Sequence, residues 1–180
     1  GRVVNTNTVA STVDAVISRS NVSAGALDMD ATQTIDSLAT GRTATESVGV
    51  LFSVSSSGAF VASTVTSAAR STVGDGSVLN IDGLLGVTAT GDVDGSATAV
   101  ATSTSGSLLA IATSGPTART IQTPTVLATL GGTVTSGGSM TVEAILTSSG
   151  TSAAVAGSYG TIAVGASEAT TTLRPVVTAS

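Results

Sequence analysis

Apolar and polar residues alternate one for one along much of the chain. Leu27, Met29 and Ala31 alternate with Asp28, Asp30 and Thr32, and Leu79, Ile81 and Gly83 with Asn80, Asp82 and Leu84. Met140, Val142 and Ala144 do the same with Thr141, Glu143 and Ile145. A period of two puts successive side chains on opposite faces, so these segments predict β-strands with the first set inward and the carboxylates outward. Thr and Val are enriched, and strong helix formers other than Ala are scarce, which also favours strands. Ser96–Gly106 carries small residues on both faces, as a strand buried on one side against a close neighbour would.

The alternating segments recur. Val13 precedes Leu27, Val65 precedes Leu79 and Val126 precedes Met140 by one and the same spacing, with a glycine (Gly25, Gly76, Gly138) ahead of each second anchor. A third anchor follows at Gly49, Gly106 and Gly160, and a fourth copy opens at Val176. The unit averages about 54 residues, with length variation placed between the second and third anchors. The expected organisation is one repeat array over 1–180, with approximate units 12–63, 64–124 and 125–174 and partial units at both ends. A unit of that length is expected to hold roughly two ordinary solenoid rungs. Beginning and ending in the same phase without an evident cap reads as a slice of a longer array. The three prolines, Pro116, Pro124 and Pro175, fall near the expected junctions, where proline ends pairing or sits at an edge. Many short strands with an internal repeat predict an all-β fold: a parallel β-solenoid (β-helix) of about three repeats, with a β-sandwich fibre subunit as the alternative.

Composition narrows the kind of core. Apolar residues make up 41% of the chain but aromatics only 2%, namely Phe52, Phe60 and Tyr159, and Ala and Val dominate. Such side chains cannot fill a broad core, which relies on large residues for buried area, but they fill a thin one. Charged residues are 9% of the chain and the net charge is −5, with positive mean hydropathy, which argues against disorder. All six basic residues are scattered Arg, so no nucleic-acid partner is expected. With no Cys, stability must come from stacking and hydrogen bonding. No apolar stretch reaches the roughly 18 residues of a membrane span, and no signal peptide opens the chain, so Gly1 reads as a processed or truncated end.

The same inventory argues against an enzyme. Without His, Cys or Lys the usual general bases, thiol nucleophiles and Schiff-base formers are missing. Carboxylate pairs remain, Asp28/Asp30 and Asp92/Asp94, of the sort a glycoside-cleaving β-helix uses. Asp28/Asp30 reads better as a solvated strand face. Asp92-x-Asp94-Gly95 resembles the opening of a calcium loop but lacks further ligands and a closing Glu, so it reads as an acidic turn. Asp75-Gly76 reads as a turn too. Thr-x-Thr pairs at Thr43/Thr45, Thr88/Thr90, Thr102/Thr104 and Thr133/Thr135 suggest an ordered-water surface, but their starts are unevenly spaced and follow no fixed rung. Asn21-Val22-Ser23 matches a glycosylation sequon, common by chance. No catalytic, cofactor-binding or metal-binding residue is assigned, and no cofactor is expected.

Gly137–Ala144 (Gly-Gly-x-x-x-Val-x-Ala) and Gly160–Gly165 (Gly-x-x-Ala-Val-Gly) carry a resemblance, with Gly25–Ala31 and Gly49–Val54 as looser matches. The chain resembles the repeat regions of giant bacterial surface adhesins of the filamentous-haemagglutinin-like type. The resemblance implies a right-handed parallel β-solenoid, export to the cell surface and a stalk or filament role, and brings no catalytic residues. The expected function is a structural, non-enzymatic component of an extracellular or cell-surface fibre. Its expected partners are copies of itself or flanking repeats of the same chain, end to end. The alternatives are a ligand-binding β-solenoid for ice or calcium-bridged glycans and, behind it, a carbohydrate-active β-helix enzyme.

Overall fold

In the computed structural model, which describes residues 1–180, the alternation extends into strands of up to 22 residues. The first turn runs through β1 (Arg2–Ile17), β2 (Asn21–Ala24) and β3 (Leu27–Val48). The second repeats it with β4 (Phe52–Val73), β5 (Val78–Ile81) and β6 (Leu85–Gly106). The third is β7 (Leu109–Ser114), β8 (Thr117–Leu130), β9 (Thr133–Ser136) and β10 (Met140–Tyr159). A fourth begins with β11 (Ile162–Gly165), β12 (Glu168–Leu173) and β13 (Val176–Ala179).

Every pairing is parallel and joins a strand to its counterpart in the next turn. β1, β4, β7/β8 and β11–β13 stack into a first face, β3, β6 and β10 into a second, and β2, β5 and β9 into a short third side. The chain is a parallel β-solenoid. Leu27 pairs with Leu85 and Thr117 with Glu168, so hydrogen-bonded partners lie a whole repeat unit apart in sequence. Each repeat unit is therefore one turn, not two rungs. The long strands follow from composition, because faces lined by Ala, Ser and Gly lie close together and need no corner to close the core.

The interior is wedge-shaped. At the end closed by the short side, Leu79, Ile81, Leu85, Val87, Val73 and Val126 form the largest apolar cluster, with Met29, Ala89 and Ala128. Midway, Ile35, Val65 and Val93 meet across the two faces. Further along, Ala and Val take over, with Ala39, Ala59, Val61, Ala97, Ala99, Ala101 and Ala118 in one cluster. At the narrow end, serines meet serines. The hydroxyl pairs Ser53–Ser105 and Ser55–Ser103 are each 2.6 Å apart, and Ser114–Ser158 is 2.8 Å. A serine hydroxyl sits one bond beyond Cβ, so these contacts hold the backbones well inside the ~10 Å of an ordinary sheet-on-sheet packing.

The strand register corrects the expected alignment of units. Val13 and Val126 both pair with Ala69, and Leu27 and Met140 both pair with Leu85. Val65 instead pairs with Val9 and Gln122, and Leu79 with Val22 and Val134. The two connections flanking the short strand are together longer in the second turn (74–77 and 82–84) than in the first (18–20 and 25–26) or the third (131–132 and 137–139). Leu79 therefore lies in a corner strand, not a long one. Met140, expected inward, is 56% exposed at the edge of the stack.

The glycines follow this register. The counterpart of Gly25 and Gly138 is Gly83, not Gly76. A Cβ on Gly83 would lie 2.6 Å from the Gly25 carbonyl oxygen, and one on Gly138 would lie 2.6 Å from that of Gly83. Backbone stacks on backbone at this corner in all three turns. Gly76 serves the other corner, where it adopts φ 77°, as does Gly132 at φ 82°.

Two local expectations also change. Asp92-x-Asp94-Gly95 is not a turn; it runs straight through the middle of β6, with Gly95 facing inward. A Cβ there would collide with the side-chain nitrogen of Gln122, so the glycine makes room for a buried amide from the opposite face. Pro124 is no strand end: it is buried inside β8 opposite Ser67, and the neighbouring rung breaks beside it, between β12 and β13 at Arg174–Pro175. Asp75-Gly76 does form the expected turn.

Candidate functional site

No cleft collects reactive groups, so the outer surfaces of the wedge are the candidate functional sites. The largest depression, about 370 Å³, opens at Gly1, Arg2, Ser56, Gly58 and Phe60, and Arg2 is the only ionisable side chain lining it. No three His, Cys, Asp or Glu side chains come together as a metal site would require. No helix of the chain is long and apolar enough to cross a membrane.

The carboxylates gather on the second face because outward positions of a period-two strand are the ones left in water. Asp28, Asp30 and Asp36 of β3, Asp92 and Asp94 of β6 and Glu143 of β10 all point outward and are exposed. Asp28 and Asp30 lie on this face as expected. The register brings Asp36 and Asp94 side by side on adjacent rungs. Ser149 donates to Asp94 Oδ1 at 2.8 Å and Thr32 to Asp30 Oδ1 at 3.0 Å, so neighbouring hydroxyls share the solvation of these charges.

The expected Thr-x-Thr pairs do not come together. Thr88/Thr90 and Thr102/Thr104 face outward at separate places on β6, Thr133/Thr135 lies on the short side, and Thr43/Thr45 turns inward on β3. The first face carries a different set. Thr6 and Thr8 of β1, Thr64 and Thr66 of β4, Thr123 and Thr125 of β8, and Thr170 and Thr172 of β12 place one Thr-x-Thr on each of four successive rungs. The pairs are staggered: Thr8 pairs with Thr64 and Thr66 with Thr123, whose hydroxyls are 3.2 Å apart, but Thr6 pairs with Ala62, Thr125 with Ala68, and Thr170 and Thr172 with Arg119 and Ile121. Part of the signal was in the sequence, since Thr8 and Thr64, and Thr66 and Thr123, are each one turn apart. The spacing is recognisable only once the turn length is known.

Inside the wedge, Gln122 replaces the valine of the preceding turn, Val65. Its amide nitrogen donates to the Ser149 carbonyl at 2.5 Å, and Ser148 donates to its oxygen at 2.7 Å. Both ends of the amide are satisfied, which is what permits full burial. The Asn21 sequon lies on β2 with Asn21 exposed.

Comparison of the chain with family models, characterised proteins and solved structures finds no match.

Proposed function

We propose that the chain is a non-catalytic structural segment of an extracellular or cell-surface fibre, in the manner of the giant adhesin repeats it resembles. The observation that carries this reading is the state of the two end rungs. β1, β2 and β3 pair on one side only, and so do β9, β10 and the run β11–β13. Each end therefore presents a row of backbone N–H and C=O groups in parallel register, complementary to the row at the other end. Such rows are satisfied by a further turn, whether it belongs to the same chain or to a second copy. The role is mechanical: every rung between the ends is held by the turns above and below it, so load along the axis is spread over many strands.

The test is to fuse a charged, proline-containing cap to either end and follow particle length by electron microscopy. Uncapped protein is expected to form end-to-end particles of constant width, and capped protein single segments. Uncapped protein that stays monomeric at high concentration, or length that capping leaves unchanged, overturns the reading.

A second reading rests on the first face. Hydroxyls on a parallel solenoid recur about every 4.8 Å between rungs and about 6.6 Å along a strand. Thr8 over Thr64 and Thr66 over Thr123 hold those repeats between neighbouring rungs, and such a run of hydroxyls is a surface on which water can be ordered. Thermal hysteresis of the wild-type protein, lost in Thr66→Tyr, is the expected signature. Wild-type protein without hysteresis rejects it.

A further inference from the structure

The narrow edge of the wedge, opposite the short side, carries the most exposed apolar side chains in the molecule. Val50 and Leu51 in the connection after β3 are 87% and 71% exposed, and Leu108 in the connection after β6 is 77% exposed. The strand residues beside them continue the ridge in register: Phe52 pairs with Leu109, and Val54 and Ile162 both pair with Ile111. The ridge thus recurs at three successive turns. It is not a by-product of corner formation, because the corners beside the short side use Ser, Arg, Asp and Gly at most of the equivalent places. Contiguous exposed apolar surface of this kind marks an interaction site.

Charged side chains are sparse at the same edge, with Arg2 and Glu46 only at its margins. No charged residue occurs from Ser47 to Ala69, from Gly95 to Ala118 or from Ala144 to Ser167, the three segments that build it. The acidic groups that set the net charge of −5 lie on the other surfaces.

We infer that this edge is a lateral interface between two copies of the chain, packed edge to edge with their apolar ridges in contact. Two acidic molecules repel wherever their carboxylates meet, and this is the surface that carries fewest of them. A basic partner would find almost no carboxylate here to engage. The ridge also has the period of the solenoid, about 4.8 Å per rung. A second stack of the same rungs matches that period at every turn, and a two-fold axis makes the contact self-complementary. Three turns at about 4.8 Å per rung make an edge only about 15 Å long, short of the roughly 800 Å² per partner of a standard interface, so the dimer is expected at high protein concentration. Because each turn adds one more strip, the contact strengthens with the number of turns. The inference stands apart from end-to-end stacking, since an edge contact needs no open rung.

Sedimentation equilibrium and small-angle scattering of the purified chain test it. Wild-type protein is expected as a species of twice the chain mass with an enlarged cross-section, whereas end-to-end stacking lengthens particles at constant cross-section. Leu51→Asp combined with Leu108→Asp is expected to give a monomer with unchanged circular dichroism, because both side chains are already in solvent. Thr66→Asp, on the first face, is expected to leave the dimer intact. The cysteine-free sequence allows a second measurement that disturbs the fold less. Leu108→Cys is expected to crosslink into a covalent dimer under mild oxidation at least tenfold faster than Thr66→Cys. A wild-type monomer at every concentration, a dimer that survives the double substitution, or equal crosslinking at the two sites overturns the inference. So does a monomer that floats with phosphatidylcholine vesicles, since the edge would then be a lipid contact.

Discussion

Leu79 and Asp82 stand close together at one corner and face opposite ways. Leu79 is fully buried in the largest apolar cluster, while Asp82 is exposed at the start of the connection to β6. Leu79→Asp puts an unpaired carboxylate among Ile81, Leu85 and Val73, and should lower the unfolding free energy by about 4 kcal/mol. Asp82→Ala removes a solvated charge and should change it by less than about 0.5 kcal/mol. Equilibrium unfolding in urea measures both, and equal effects would show that the alternation does not set which way residues face. That alternation was legible in the sequence at single-residue resolution, because a pleat offers only two sides. The partner of each residue was not. The chain offers Val and Leu at many phases, so the spacing from Val65 to Leu79, equal to that from Val13 to Leu27, passes for an equivalence. In the second turn that equivalence belongs to Ala69 and Leu85, which stand slightly farther apart because the intervening corner is longer.

At the scale of elements, strands were readable and their junctions were not. Turn chemistry at Asp75-Gly76 is local, since φ 77° at Gly76 needs only a residue without Cβ. The glycines at 83, 95 and 138 answer to neighbours a full turn away or on the opposite face, and no short window of sequence contains those neighbours. Asp94-Gly95 therefore has the composition of a turn and the structure of a strand, because Gln122 needs the space above Gly95. The corner glycines provide the direct test of backbone-on-backbone stacking. Gly83→Ala places a methyl group 2.6 Å from the Gly25 carbonyl oxygen, and backbone cannot swing aside as a side chain does. We expect destabilisation of about 1–3 kcal/mol by urea unfolding. Gly106→Ala, where a Cβ meets nothing within 4 Å, should cost less than about 0.5 kcal/mol. Similar effects at the two positions would mean that the rungs are not in contact at this corner.

For the whole molecule, the question is whether stability is a property of one closed core or a sum over stacked turns. In the solenoid each turn touches only its neighbours, so the interior is a set of similar layers. The thin wedge of Ala and Ser stabilises each layer weakly, and the array gains by adding layers, not by thickening them. Duplicating residues 78–132 and inserting the copy between Gly132 and Thr133 tests this. Val78 pairs with Thr133, so the duplicated segment runs from one rung to the start of the next and supplies one complete turn. The inserted turn finds a neighbour on both sides, in register, with the glycine corner and the Thr-x-Thr of β8 repeated. Unfolding free energy should rise, and the urea dependence of that free energy, which tracks surface exposed on unfolding, should steepen by about a third. A closed sandwich has no place for another layer, so the same insertion there would hang as a loop and leave both quantities unchanged or lower. An unchanged slope together with new protease sensitivity inside the inserted segment would show that the turns do not add, and the fibre reading would lose its physical basis.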